Sequence, residues 1–271
     1  MNIKGLGKIV LSVLVVGLFL TSTPSAASAL SADEVVEKAN LAYYYGGDDG
    51  SAKVKMVITS ASGKERVREL ILLRKDIADG GMQKYYVYFI NPPDVSGMVF
   101  LVWRKVSGDD DRWLYIPAVD LVKRIATRDK RSAFAGSHFT YEDISGRSTV
   151  ADTHELIGEE ELDGKAVYVI KNTPKDASSV EFSYFKVWID KATFIPVKGE
   201  YYDKSGKLDR TIYTDEIEVI QGIPTVIKGR AVMADGSYTV VTFTDVKYDL
   251  GLTEKTFTER TLRKPPRKWL K

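Results

Sequence analysis

Histidines and serines are the side chains of this sequence from which metal binding or nucleophilic catalysis would first be expected. The chain has two histidines, His138 and His154, and no cysteine. Neither histidine has a carboxylate or a second histidine at metal-ligand spacing. Gly136-Ser137-His138 is not the Gly-x-Ser-x-Gly turn of a nucleophilic serine. We therefore expect no catalytic residue, no metal, no cofactor and no enzymatic activity.

Aromatic and aliphatic side chains on predicted strands are the more informative feature. From Ala52 to Tyr248, apolar and polar residues alternate in short runs that polar turns such as Asp163-Gly164 separate. Turns this short connect antiparallel neighbours, so the pattern predicts a mainly β meander that curls toward a barrel or half-barrel. In Lys84–Ile90 and Phe182–Ile189 both faces of the predicted strand are apolar. A second element must therefore cover the second face.

Two segments are candidates for that cover. Ser31-Ala32-Asp33-Glu34 has the spacing of a capping box, and the helical period that follows predicts an amphipathic helix over Asp33–Tyr45. Val122–Ser148 mixes basic residues, glycines and aromatics without a period, as functional loops do. Two alternatives stay open: the sheet packs solidly against these segments, or a cavity for an apolar guest lies between them.

The first residues predict export. Lys4 and Lys8, the apolar run Ile9–Leu20 and the small residues before Ala29 have the order of a signal peptide, which predicts cleavage after Ala29. A permanent membrane anchor is the alternative, but the run is shorter than the roughly 20 residues that span a bilayer. Without a cysteine to acylate, the product would be a periplasmic protein with no lipid anchor and one domain over residues 30–271.

The exported domain carries no excess charge. The whole chain has a formal net charge of +2, which the leader residues Lys4 and Lys8 account for. This balance argues against a nucleic-acid partner, since phosphates demand a basic excess. Basic residues do concentrate between Arg260 and Lys271, together with Trp269. Contact with a membrane surface or an acidic partner and a frayed terminus are both compatible with that segment.

Motifs in the middle of the chain resemble those of a known family. They are Asp111-Arg112-Trp113-Leu114-Tyr115-Ile116-Pro117-Ala118, Lys123-Arg124-Ile125 and Phe134-Ala135-Gly136-Ser137-His138-Phe139-Thr140-Tyr141-Glu142-Asp143. Together with the turn Asn91–Gly97, they resemble the outer-membrane lipoprotein-sorting protein family, relatives of the LolA carrier. The resemblance covers essentially the whole exported domain. His138 departs from it, because the family pattern has an acidic residue there.

The resemblance implies an incomplete antiparallel barrel around a hydrophobic cavity, with helical lid elements. Members of the broader fold shield acyl chains of lipoproteins or other lipids, so it implies a monomeric periplasmic carrier for such chains. It also implies work with an inner-membrane exporter and an outer-membrane acceptor. The alternative is a periplasmic sensor or adaptor that recognises envelope lipids or a partner protein without carrying cargo.

Strand alternation and the motifs suggest which residues would form the binding site. For guest contact we predict Met56, Ile58, Leu72, Tyr86, Tyr88, Phe100, Trp113 and Tyr115, and a slip of one residue would invert a face. For the lid we predict Phe134, Gly136, Phe139 and Tyr141. Arg124, Glu142 and Asp143 are the predicted polar loop residues. Arg124 would either meet a headgroup or pair with Glu142 or Asp143, and we favour the pairing.

Overall fold

The computed structural model describes residues 29–78 and 80–270, so the predicted signal peptide, apart from Ala29, lies outside the described residues. The helices are α1 (Ala32–Tyr44), α2 (Tyr141–Ser145) and α3 (Arg260–Arg263). The strands are β1 (Asp49–Thr59), β2 (Glu65–Asp76), β3 (Gln83–Asn91), β4 (Val99–Arg104), β5 (Asp111–Ile116), β6 (Leu121–Arg124), β7 (Asp152–Leu162), β8 (Lys165–Pro174), β9 (Phe182–Asp190), β10 (Pro196–Asp203), β11 (Leu208–Ile220), β12 (Ile223–Met233) and β13 (Tyr238–Tyr248). Within these ranges, no helix has the length and apolar character needed to cross a bilayer.

The thirteen strands of the described residues form one antiparallel sheet in the order β6-β5-β4-β3-β2-β1-β13-β12-β11-β10-β9-β8-β7. Strand β1 pairs with both β2 and β13, and the other neighbours in the sheet are also neighbours in the chain. Strands β6 and β7 are consecutive in the chain but form the two free edges, so the sheet stays unclosed. Residues 125–151, which we call the cover segment, connect these edges. The predicted mainly β, half-open architecture with an N-terminal helix is confirmed.

The register of the central strands defines an inner and an outer face. Ala52 of β1 lies opposite Leu72 of β2, and Met56 of β1 lies opposite Val241 of β13. Residues directly opposite each other point to the same side of a sheet. These four residues therefore belong to one face, the inner face, which both α1 and the cover segment overlie.

Helix α1 covers the inner face at β8 and β9. Its predicted capping box is present, since the Glu34 amide donates to Ser31 Oγ (3.2 Å) and the Ser31 amide donates to the Glu34 carboxylate (2.8 Å). The buried residues Val35 and Ala39, one turn apart, pack against β8 and β9. The helix runs over Ala32–Tyr44, one residue earlier at each end than predicted.

The cover segment packs against the other half of the inner face through aromatic rings. The ring of Phe134 lies 5.7 Å from that of Phe89 and 5.4 Å from that of Phe100, measured between centroids. Tyr141 of α2 completes the cluster, 5.1 Å from Phe100 and edge-on to Phe134 at 5.6 Å. Such pairs add to the free energy of burying the rings. The segment is therefore an ordered part of the hydrophobic core.

A third element, residues 250–270, covers the outer face of β2–β5. Leu252, Phe257 and Leu262 pack there with Leu73, Tyr86, Leu101 and Trp113. Tyr86 Oη donates to the carbonyl of Thr261 at 2.8 Å, and Trp103 Nε1 donates to the carbonyl of Phe257 at 2.7 Å. For this half of the sheet, the expectation that Asp33–Tyr45 or Val122–Ser148 would cover the second face is therefore wrong. The basic C-terminal segment is packed against the sheet, so the alternative of a frayed terminus is wrong as well.

Asp49 joins this C-terminal segment to the sheet. Its side chain is buried, and its two carboxylate oxygens accept hydrogen bonds from the amides of Leu250 (2.7 Å) and Leu252 (2.6 Å). Hydrogen bonds to an ionised acceptor are worth more than neutral ones. Asp49 of β1 thus holds the residues that follow the end of β13, where the chain crosses to the outer face.

Replacing Asp49 tests this connection. We expect Asp49→Ala to lower the free energy of unfolding by roughly 3 kcal/mol, because two buried amides lose a charged acceptor. Urea denaturation of the exported domain measures the change. Asp245→Asn is the control: it removes an exposed charge that pairs with Lys53 at 2.9 Å, keeps a residue type that tolerates the φ of +52° at this position, and should change stability little. Equal effects of the two variants would contradict the assignment.

Candidate ligand-binding cavities

Two apolar-lined cavities lie between the described part of the sheet and its inner covers. The first cavity, of about 220 Å³, is bounded by β1–β3, β11–β13, the end of α1 and the cover segment. The second cavity, of about 210 Å³, is bounded by α1, β7–β11 and the cover segment. A single water needs only about 10–15 Å³ in the same measure. Neither space is therefore a minor packing defect.

Aliphatic and aromatic side chains make up most of the cavity walls. In the first cavity they include Ala52, Val54, Met56, Leu70, Leu72, Val87, Phe134, Ile144, Val226, Val241, Phe243 and Val246. In the second cavity they include Val36, Ala39, Phe185, Val187, Ile189 and Pro196, and polar or charged side chains such as Arg147, Asp152, His154, Asn172 and Lys198 line the rest. Walls of this kind suit a hydrocarbon guest, which gains free energy by leaving water and needs no polar partner.

Side chains from three elements border both cavities. They are Tyr43 and Tyr44 at the end of α1, Phe139 and Asp143 of the cover segment, and Ile212 of β11. Burial raises the pKa of the Tyr43 phenol to about 12, yet 39% of the residue surface is uncovered. Tyr43 therefore borders both cavities with part of its surface uncovered.

The cover segment approaches α1 closely at Gly146. Its φ is +85°, a conformation that favours glycine, and an added Cβ would lie 2.9 Å from the ring of Tyr44. Glycine at this position lets the end of α2 rest on the tyrosine that borders both cavities. The position of Tyr44 is thereby coupled to that of the cover segment.

The structure brings together half of the predicted site. Met56, Leu72, Phe134 and Phe139 border the first cavity. Phe100 and Tyr141 lie in the aromatic cluster beside it.

Ile58 is buried on the inner face, beyond the residues that line either cavity. The carbonyl of Gly136, in the cover segment, accepts a hydrogen bond from Arg66 Nη2 of β2 at 3.0 Å. Contact of these residues with a guest stays a prediction.

The other predicted guest contacts lie on the outer face. Tyr86, Tyr88, Trp113 and Tyr115 pack under or beside residues 250–270. In β3 the inner positions belong to Tyr85 and Val87 instead. Every residue from Tyr85 to Ile90 is apolar or aromatic, so alternation alone does not reveal which set faces inward. These four residues have no place in either cavity.

Several cavity residues were not predicted. Tyr43, Tyr44 and Ile212 border both cavities, and Val241 and Phe243 line the first. The alternation of Val241 and Phe243 with Thr242 and Thr244 was a usable signal on β13. The position of Tyr43 in α1 gave no comparable signal. Residues on a solvent-exposed helix face and residues on a cavity-facing one recur at the same spacing in the sequence.

Buried charges hold the cover segment against the sheet. Asp143 forms a capping box with Thr140, whose amide donates to Asp143 Oδ2 at 2.7 Å. The same carboxylate accepts from Arg210 Nη1 of β11 at 2.7 Å and pairs with Arg131 at 3.5 Å. Arg131 also contacts Glu181, just before β9, at 2.7 Å. These contacts connect the segment to strands on the far half of the sheet.

A second group of charges fixes the end of the segment where it enters β7. Arg147 pairs in a bidentate way with Asp152, at 2.8 Å for both contacts, and lies 3.4 Å from Glu142. Lys130 Nζ is 3.2 Å from Glu142. The predicted loop residues Glu142 and Asp143 are thus both members of a buried ionic network.

Arg124 is not part of this network. Its guanidinium pairs with Asp111 and lies 5.8 Å from the centroid of the Trp113 ring. The expected pairing with Glu142 or Asp143 is therefore wrong. The reason is register: β6 pairs with β5 so that Arg124 lies opposite Trp113, which points to the outer face.

The two histidines contact neighbouring polar groups. His138 Nδ1 lies 2.7 Å from Thr239 Oγ1, and burial lowers the pKa of its imidazole. His154 lies 2.6 Å from Asn172 Oδ1 through Nδ1 and 2.8 Å from the carbonyl of Thr149 through Nε2. Within residues 29–78 and 80–270, no three His, Cys, Asp or Glu side chains converge as metal ligands would.

Comparison with known proteins gives a consistent set of similarities. A family model described as that of an uncharacterized protein matches residues 81–264. A structure described as an outer membrane lipoprotein-sorting protein domain from Vibrio parahaemolyticus is 28% identical, covers 86% of this chain and 98% of its own, and has a TM-score of 0.79. A DUF1329 family protein from Desulfovibrio piger is 30% identical, with coverages of 84% and 97% and a TM-score of 0.77.

A more distant structure shows the same fold. A LolA superfamily protein from Nitrosomonas europaea is 23% identical, with a TM-score of 0.67, and the match covers 86% of this chain and 99% of its own. No curated protein matches the sequence.

The ionic network makes the stability of the protein depend on pH in a defined window. Burial raises the pKa of Asp143, but Arg210 and Arg131 outweigh burial and lower it from 3.8 to about 2. A carboxyl whose pKa is lowered in the folded state stabilises the fold at pH values above its ordinary pKa. This contribution is lost as the pH falls through the lowered pKa. We expect roughly 2 kcal/mol to be lost between pH 4 and pH 2, measured by urea denaturation.

Two variants make this prediction specific. Asp143→Asn should be less stable at pH 7 by roughly 3 kcal/mol, because it leaves Arg210 buried without its partner. Its stability should also vary less between pH 4 and pH 2 than that of the parent protein. Asp163→Asn, at an exposed turn position, should keep the parent profile. A parent-like profile in Asp143→Asn would show that other carboxyls cause the effect.

Proposed function

Because the chain belongs to the LolA-fold family of outer-membrane lipoprotein-sorting and DUF1329 proteins, we propose that it carries the acyl chains of a lipid or lipoprotein. The observation that supports this most directly is the pair of apolar-lined cavities between the sheet and its inner covers. A solidly packed sheet would leave no room for a guest. The role we propose is that of a binding protein, with no catalytic group.

The energetics of an acyl chain fit such cavities. A chain of about 16 carbons gains near 0.8 kcal/mol for each methylene removed from water, roughly 12 kcal/mol in all. Apolar walls supply this without specific contacts, since the gain comes from the water that is released. Affinity then depends on how much of the chain the cavities enclose, and one carrier can accept chains that differ in detail.

The cover segment is the proposed lid. Its aromatic cluster closes one side of the first cavity. Phe139, also in the cover segment, borders both cavities. A buried ion pair gains little net free energy, because desolvation of the charges cancels much of their attraction. Asp143, Arg210 and Arg131 can thus define where the lid closes without making the closed state much more stable than the open one.

We propose the periplasm as the place of action. The residues from Lys4 to Ala29 have the pattern of a cleavable signal peptide. The chain is also similar to a structure described as an outer membrane lipoprotein-sorting protein domain. In this proposal a monomer accepts its cargo at the inner membrane, from an exporter, and delivers it to an acceptor at the outer membrane.

Filling the first cavity tests the proposal. We expect Val241→Trp to weaken binding of a fluorescent palmitate analogue at least 10-fold, since an indole would occupy the space that the chain needs. Val240→Trp is the matched control: Val240 is the neighbouring residue on β13 and points to the other face of the sheet. Titration of both variants and the parent protein, purified without lipid, measures the effect.

Native mass spectrometry of the protein released gently from the envelope supplies the second measurement. The parent protein and Val240→Trp should arrive with bound lipid, whereas Val241→Trp should arrive with less. A parent protein that arrives empty, binds no palmitate and instead retains a protein partner would reject the carrier in favour of the adaptor alternative.

A further inference from the structure

The C-terminal segment that covers the outer face of β2–β5 is itself basic on its exposed side. Leu262 of α3 is buried against the sheet. Five basic side chains around it are exposed: Arg260, Arg263, Lys264, Arg267 and Lys268. No acidic residue lies among them, and Glu259 directly precedes them. We call the surface that these five side chains form the basic face.

The basic face is a local excess of charge in a domain that has none overall. The formal net charge of +2 comes from Lys4 and Lys8, which precede the exported domain. The remainder of the domain therefore carries an excess of acidic residues. A molecule whose charges are separated in this way is turned by electrostatic attraction so that its basic face meets an anionic surface.

The cations of the basic face are available for outside contacts. Within the part of the chain that the structure describes, Arg260, Lys264 and Arg267 form no ion pair. Lys268 Nζ lies 4.2 Å from the centroid of the Trp269 ring, and the lysine stays exposed. An anionic partner can therefore approach these side chains without breaking an ion pair inside the protein.

An exposed apolar turn lies beside the basic face. This turn joins β5 to β6, and 67% of Val119 and 48% of Leu121 are exposed. Arg263 holds the residue between them: its Nε donates to Asp120 Oδ1 at 2.8 Å, and its Nη2 donates to the carbonyl of Asp120 at 3.2 Å. Two aliphatic side chains are thus fixed next to a group of cations.

We propose that this corner of the molecule is a docking surface for a phospholipid bilayer that contains anionic lipid. The basic face would lie against the headgroups, and Val119 and Leu121 would enter the layer between them. Basic side chains are attracted to an anionic leaflet, and aliphatic side chains gain free energy by leaving water. An acidic protein would use the same cations, but it would give the exposed aliphatic pair no comparable environment.

This inference does not depend on acyl-chain carriage. Within the described ranges, neither the basic face nor the β5–β6 turn contributes a residue to either cavity. Docking and cargo binding can therefore be measured separately on the same protein.

Co-sedimentation with vesicles tests the role of charge. The exported domain should bind vesicles of equal parts phosphatidylglycerol and phosphatidylcholine, and bind vesicles of phosphatidylcholine alone much more weakly. Arg267→Glu/Lys268→Glu should weaken binding to the anionic vesicles at least about 20-fold, since each basic residue near such a surface contributes about 5-fold. Higher ionic strength should weaken the binding of the parent protein, because salt screens the attraction.

Matched variants control for total charge, folding and cargo. Lys165→Glu/Lys207→Glu makes the same change of charge at exposed lysines on the other half of the sheet and should sediment like the parent protein. Both double variants should keep the parent midpoint of urea unfolding. Val241→Trp should also sediment like the parent protein, which would separate docking from uptake of lipid into the first cavity.

A fluorescent label tests whether the apolar turn enters the bilayer. Because the chain has no cysteine, Val119→Cys can be labelled at one position with an environment-sensitive dye. We expect its emission to shift to the blue on anionic vesicles. Val219→Cys is the control: this valine of β11 is 71% exposed, lies on the other half of the sheet, and should show no shift.

The outcomes separate the docking surface from the carrier proposal. Equal binding of the parent protein and Arg267→Glu/Lys268→Glu to anionic vesicles would show that the basic face is not the docking surface. An unshifted label at position 119 on bound protein would refute the bilayer and favour an acidic protein as the partner. A parent protein that binds the palmitate analogue but no vesicles would refute docking and leave the carrier proposal intact.

Discussion

The carboxylate of Asp143 is the contact that fixes the cover segment against the far half of the sheet. Strands β6 and β7 form the free edges of the sheet yet follow one another in the chain, so residues 125–151 have to pass from one edge to the other. They cross the inner face, where Asp143 meets Arg210 of β11 and Arg131. The two halves of the sheet are joined here by side-chain charges, whereas a closed barrel would join them by strand hydrogen bonds.

This mode of closure explains why the interior stays unfilled. In a closed barrel of small radius, the inward side chains meet and fill the space. Here the cover segment contributes Phe134 and Tyr141 to one half of the inner face, and α1 contributes Val35 and Ala39 to the other. The covers approach each other closely at Tyr44 and Gly146, and both cavities lie beside this contact.

The sequence was sufficient to predict the meander, the capping box of α1 and the family, and the structure and the comparisons confirm all three. These features depend on local spacing and on contiguous motifs. It was not sufficient to orient β3 or β5, because the apolar run from Tyr85 to Ile90 has no polar side. That ambiguity has a physical cause: residues 250–270 cover the outer face, so both faces of these strands are buried. A cover so distant in sequence leaves no trace in the alternation.

The Trp-Leu-Tyr motif of β5 illustrates how one strand serves both faces. Leu114 points inward to the core beneath the cover segment, whereas Trp113 and Tyr115 point outward. The guanidinium of Arg263 lies 5.6 Å from the centroid of the Tyr115 ring and pairs with Asp120 at 2.8 Å. The motif therefore supports the C-terminal segment rather than a guest. Because that segment packs on the outer face, β2 and β3 are covered from outside where their inner face borders the first cavity.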